Sequence, residues 1–121
     1  MKTIIIILLG IIAIHPTQLR HFTEADVAKY TIASVMGKPA NIISVSKSAG
    51  QYIVKYTRPN DSQKFAYKVK IEGNRAIWAN LDGRWRDTQY DERITFSEVG
   101  NKLKITQTFS DGSFDVKLFS K

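Results

Sequence analysis

The chain has 121 residues, no cysteine, and 18 Lys and Arg against 11 Asp and Glu, a formal net charge of +7. That length holds one domain with one compact core. The missing cysteines exclude a disulfide framework, thiol catalysis and a lipidated-cysteine anchor, and two histidines, His15 and His21, are too few for a His-rich zinc site.

Behind Lys2 the chain opens with "IIIILLGIIAI", Ile4 to Ile14. A basic start followed by a short aliphatic run is the n- and h-region pattern of a secretory signal. The run is too short to span a membrane as a helix, which takes roughly 20 residues. No Ala-x-Ala follows it, so the cleavage site is not fixed, and Ala13 is the one small apolar residue near its end. The expectation is a signal peptide over 1–18, a periplasmic or secreted product, and a single α+β domain over 19–121. Removing 1–18 takes away only Lys2 and leaves 17 Lys and Arg against 11 Asp and Glu, or +6. A charge of that size serves solubility in a small domain. In an exported chain it also suits an anionic envelope component or an acidic protein rather than nucleic acid.

A helix follows. Thr23 is a good N-cap, Asp26 stands where the capping box puts its acidic member, and Phe22 with Val27 can form a hydrophobic staple. Ala25, Ala28, Ile32, Val35 and Met36 recur at helical spacing, and Gly37 and Pro39 end the segment in the usual order. These signals predict a helix over about Glu24 to Met36, its stripe buried on a sheet.

From Asn41 the period changes to two. Tyr52, Val54 and Tyr56 alternate with polar residues, as do Phe65, Tyr67, Val69 and Ile71 with Lys64, Lys68 and Lys70. The alternation returns at Ile94 and Phe96, at Leu103, Ile105 and Phe109, and at Phe114, Val116 and Leu118, with "NIISVSK" and "RAIWANL" less regular. Between these runs stand Ser48-Ala49-Gly50, Pro59-Asn60-Asp61-Ser62, Gly73-Asn74, Gly100-Asn101 and Asp111-Gly112-Ser113, links that suit hairpins and are too short for parallel crossovers. The predicted fold is therefore α+β: one N-terminal helix packed on a curved, mainly antiparallel meander of six to seven strands, with partial closure into a barrel as an alternative.

No catalytic or cofactor signature emerges. His21 precedes the helix in a segment expected to be mobile, which disfavours a Ser-His-Asp arrangement. Asp82, Asp87, Asp91 and Glu92 could supply paired carboxylates for glycoside hydrolysis or a calcium site, but arginines are interleaved among them and the spacing fits no EF-hand. Neither a metal nor a cofactor is expected.

The feature that stands out is "DGRWRDTQYDER", residues 82 to 93, the longest link in the meander. Long links on a rigid sheet commonly carry binding residues. If "GRWR" is extended, Arg84 and Arg86 point one way and Trp85 the other. Read as a binding loop, Arg84, Arg86 and Arg93 offer contacts to carboxylate or phosphate, while Trp85 and Tyr90 offer stacking area or an apolar anchor. Read as structure, Trp85 plugs an open end of the sheet and the arginines pair with Asp87, Asp91 and Glu92. A second candidate surface is a basic patch of Lys55, Lys64, Lys68 and Lys70 on the solvent face, with the strand aromatics on the opposite face. The expected function is a non-enzymatic exported binding or inhibitor-like module that engages a protein or an anionic envelope component through the 82–93 loop. The alternatives are a small carbohydrate-acting enzyme using loop carboxylates and a purely structural envelope protein.

Overall fold

A computed structural model describes residues 19–121, so the signal-like run Ile4–Ile14 and His15 lie outside the described residues. Helix α1 spans Glu24–Met36, a 3₁₀ turn spans Ala40–Ile42, and seven strands follow: β1 Ile43–Ser48, β2 Gln51–Thr57, β3 Lys64–Glu72, β4 Arg75–Asn80, β5 Arg93–Val99, β6 Lys102–Thr108 and β7 Phe114–Ser120. They form one antiparallel sheet in sequence order, β1 at one edge and β7 at the other. The two edges do not pair, so the sheet stays open, and the alternative of a partly closed barrel is corrected.

Local chemistry sets the helix ends. Thr23 accepts from the Asp26 N–H, the Asp26 carboxylate accepts from the Thr23 N–H, and Gly37 closes the helix at φ 63°. Phe22 and Val27, the staple pair, are both buried. The helix lies across the inner face of the sheet against β1, β2, β3, β4 and β6. Its burial is wider than the predicted stripe: Val27, Tyr30, Thr31, Ala33 and Ser34 are buried along with Ala28 and Ile32. A curved sheet wraps more of a helix than a flat one touches, and the small residues Ala28, Ala33 and Ser34 let the backbones come close.

The strands supply Tyr52, Val54, Tyr56, Tyr67, Val69, Trp78, Ile94, Phe96, Leu103 and Ile105 to the core beneath the helix. The segment before the helix is also tied down, contrary to the mobility expected around His21. Glu98 reaches from β5 and accepts from the backbone N–H groups of Arg20, His21 and Phe22 at 2.8 to 2.9 Å. Lys121 adds a bond to the His21 carbonyl at 2.9 Å and an ion pair to Asp26 at 3.1 Å.

β7 departs from the expected one-sided pattern. Its alternating apolar residues, Phe114, Val116 and Leu118, face solvent, and its inward residues are Asp115, Lys117 and Phe119. The turn after β6 fixes this register by setting Phe114 opposite Thr108, an outward residue, and a period of two cannot say which face is which. The inward side still holds the helix: Phe119 packs on Tyr30 with centroids 4.9 Å apart, and the Lys117 ammonium donates to the Ser34 carbonyl in the last helical turns.

Two substitutions in adjacent helix residues test this core in opposite directions. Ile32→Ala should destabilise by about 2 to 5 kcal/mol through the cavity it leaves. The Thr31 hydroxyl is buried and, among the described residues, has no hydrogen-bond partner, so Thr31→Val should raise stability by about 1 kcal/mol. Denaturant melts measure both, and a destabilised T31V would mean that the hydroxyl is satisfied in solution.

Candidate functional site: the 82–93 loop and the outer face

β4 and β5 pair only at Arg75 with Thr95 and Ala76 with Ile94. Beyond that point the two strands part, and the loop fills the gap by donating the Arg86 N–H to the Trp78 carbonyl at 3.0 Å. Gly83 makes the entry, its N–H on the Asn80 carbonyl; a Cβ there would meet the Asn80 Cβ at 3.3 Å, so a larger residue would crowd the turn.

Within the loop Arg84 and Arg86 turn to one side and converge on the acidic end. Arg84 makes a two-pronged contact to Asp91 at 2.9 and 3.1 Å, and Thr88 adds its N–H at 3.0 Å and its hydroxyl at 2.8 Å to the same carboxylate. Arg86 lies 5.0 Å above the Trp78 ring, bonds Glu92 at 2.9 Å and stands 3.6 Å from Asp91. Glu92 also accepts from the Trp78 indole N–H at 3.0 Å. The Asp91 side chain is only 4 % exposed and that of Glu92 10 %, so each buried charge is matched by a guanidinium. The Arg84 guanidinium and the Thr88 donors hold the Asp91 carboxyl well below the usual carboxylate range. Burial pushes Glu92 up, but the Arg86 and Trp78 donors outweigh it and the net direction is down.

Trp85 emerges on the other side, against the outer face of the sheet. Its ring lies 4.7 Å from the ammonium of Lys68 and 4.7 Å from that of Lys70. Ile77 and Ala79 stand directly opposite those lysines on the same face and are buried, although they lie outside the helix-side core. The lysine stems and the half-buried indole are what lie over that part of the sheet. Trp85 is therefore a cover on the outer face rather than a plug at an open end, and the basic patch is not free of aromatics.

The remaining predicted residues are spread over this outer face. Tyr90 is 81 % exposed at the loop tip. Arg93 begins β5 on the outer side and, among the described residues, pairs with no carboxylate. With Arg75, Thr88, Gln89, Thr108 and Ser110 it lines a cavity of about 330 Å³, with Asp87 and Asp91 also on its wall. The Arg75 Nε is buried and, among the described residues, has no hydrogen-bond partner. The four predicted lysines divide into two pairs, since Lys55 and Lys64 flank a separate groove of about 590 Å³ with Ile42, Phe65 and Leu81.

Sequence reading missed three further cations on this face. Strand registers place Lys55 of β2, Lys64, Lys68 and Lys70 of β3, and Arg75 of β4 outward. They do the same for Arg93 of β5 and for Lys102 and Lys104 of β6. Against these eight cations the outward strand positions carry one carboxylate, Glu72, which lies 3.5 Å from Lys70. Arg75, Lys102 and Lys104 could have been assigned from alternation alone, because each stands an odd number of residues from an inward apolar position. Among the described residues no group of three or more His, Cys, Asp or Glu could hold a metal ion.

The clasp around Asp91 makes the loop sensitive to acid. Because its folded pKa is depressed, Asp91 contributes stability that is full above about pH 4, its unfolded value, and is withdrawn as the pH falls below that. Thermal melts of wild type and Asp91→Asn should differ most near neutral pH, and the gap should shrink progressively as the pH falls below about 4, where the unfolded wild type takes up the proton, until the folded carboxyl is protonated too. A gap independent of pH would show that the carboxylate charge contributes nothing.

Compared with known proteins, the chain matches no family model, no curated protein and no solved structure, so its function is read from these side chains alone.

Proposed function

We propose that the protein is a non-enzymatic exported binding module that engages an anionic envelope component through the outer face of its sheet, around Trp85 and the 82–93 loop. The observation that carries this reading is the charge on the outward strand positions, eight cations to one carboxylate, with the Trp85 ring 4.7 Å from two of the ammonium groups. Gathering like charges on one face costs self-repulsion, which a partner bearing phosphate or carboxylate groups relieves. Arg93 stands with Arg75 at a cavity beside the loop whose wall also carries Asp87 and the Arg84-bound Asp91, and its guanidinium, which pairs with no carboxylate among the described residues, can take such a group in a two-pronged contact.

On this reading the roles within the loop divide differently from the sequence expectation. Arg84 and Arg86 are occupied by Asp91 and Glu92, so their work is to hold the loop in the gap between β4 and β5. Recognition falls instead to Trp85, Arg93, Tyr90 and the outward lysines. The carbohydrate-enzyme reading is disfavoured by the lowered pKa of both Asp91 and Glu92, because a glycosidase acid needs a raised one.

Titration against anionic phospholipid vesicles and an acidic polysaccharide, with neutral vesicles as control, tests the face directly. Binding should weaken steeply with added salt, and Lys68→Glu or Arg93→Glu should each reduce affinity about tenfold or more, a loss of roughly 1.4 kcal/mol. Arg84→Ala should leave affinity within about twofold in any preparation that remains folded. Absence of binding to every anionic probe at low salt would remove the proposal.

Export has its own check. A reporter fused behind residues 1–22 should leave the cytoplasm, because a basic start and an aliphatic run form a targeting signal. Cytoplasmic retention would leave the basic face in contact with nucleic acid rather than envelope.

A further inference from the structure

The two edges of the sheet are finished differently. β1 turns Ser44, Ser46 and Ser48 outward, small polar residues at a strand edge. β7 turns out Phe114, Val116 and Leu118, which are 68 %, 41 % and 54 % exposed, and no described strand pairs beyond it. An unpaired backbone beside an apolar ladder is the arrangement that edge strands normally avoid. Charged guards are present on β7 as well, but Asp115 and Lys117 both lie on the inward side and carry opposite signs.

The order of those residues makes the strand complementary to itself. Residues 114 to 118 read Phe-Asp-Val-Lys-Leu. When a second copy runs antiparallel with Val116 opposite Val116, Phe114 meets Leu118 and Asp115 meets Lys117. The axis then repeats both pairs. Opposed residues in an antiparallel ladder share a face, so the apolar pairs gather on the outer side and the charge pairs on the inner side. A shift of the axis to Lys117 would oppose two lysines and set Asp115 against Phe119, which selects the first register. We propose that two copies of this chain associate by antiparallel pairing of their β7 strands, with Val116 on the two-fold axis. The interface is isologous, so it closes as a dimer and does not propagate. At the other edge, the serine-faced β1 has no apolar ladder to offer a third copy.

Because the chain has no cysteine, a single introduced thiol reports the register. On mild oxidation Val116→Cys should give a disulfide-linked dimer, since directly opposed residues fall within the Cα separation a disulfide needs, and Ser46→Cys on β1 should not. Sedimentation of the uncrosslinked protein should show a concentration-dependent dimer. Asp115→Lys alone and Lys117→Asp alone should each weaken it about tenfold or more, because like charges then oppose each other twice. An equimolar mixture of the two variants should recover the dimer as a heterodimer, and circular dichroism confirms that each is folded. A wild type that stays monomeric at its highest soluble concentration overturns the proposal, as does a dimer indifferent to both charge changes. Monomers in which the β7 amides are protected from exchange in the full chain but not in the chain from Leu19 would assign the strip to Ile4–Ile14, and would equally overturn it.

Discussion

Among the described residues one helix covers the inner face of a seven-stranded sheet, and most of the structure follows from how that is done. A helix with side chains is about 10 Å across, whereas neighbouring strands are spaced about 4.8 Å apart. A flat sheet of seven strands would leave most of its inner face bare. Curvature brings β1 to β4 and β6 onto the helix together, and large aromatics from β2, β3 and β4 fill what the helix cannot reach. The helix therefore has no solvent face of ordinary width, and its small residues Ala28, Ala33 and Ser34 are among the buried ones. It also cannot be allowed to slide. Glu98 and Lys121 hold its entry, and Tyr30, Phe119 and Lys117 fix it to the far edge.

Curvature has a second consequence where β4 and β5 separate. Two strands that share a two-residue ladder leave backbone groups to be satisfied, and the loop meets that need with the Arg86 N–H and an ionic clasp. Asp91 is nearly enclosed, and an enclosed carboxylate is tolerable only with its oxygens fully used. Arg84, Arg86 and Thr88 use them. Mixed charge within the segment is thus explained by folding. What folding does not consume is Arg93, which pairs with no carboxylate among the described residues, and the exposed Tyr90, while the half-buried indole is shared between the sheet and solvent.

The sequence was most legible where the determining chemistry is local. Thr23, Asp26 and Gly37 fix the helix ends by contacts within four residues, and the hairpin turns do the same for strand limits; Ala49 and Gly50, at φ 52° and 78°, both take the left-handed conformation that a tight two-residue hairpin asks for. Open against closed sheet was not legible, since closure depends on accumulated twist and no residue encodes it alone. The face of β7 was misread for a related reason. Alternation gives parity but not direction, and direction came from the register of one five-residue link between Thr108 and Phe114. In the loop, extended geometry was enough to separate the arginines from Trp85. The side on which the indole would land depended on β4 and β5 parting, a tertiary event with no signature in the segment.

The basic face and the apolar edge bear on each other because they lie on the same side of the sheet. Pairing through β7 would join two outer faces into one surface, with Lys102 and Lys104 of each copy flanking the apolar seam and the two Trp85 sites at its ends. A polyanionic surface engaged at two linked sites is held far more tightly than at one, because the second contact forms at high effective concentration. Single lysine contacts at an exposed face are individually weak and easily screened. Doubling them through an edge that carries no net charge of its own, Asp115 against Lys117, raises avidity without adding repulsion at the seam. The position of the charges supports this economy: the outward cations stop at β6, and the outward residues of β7 are apolar up to Ser120.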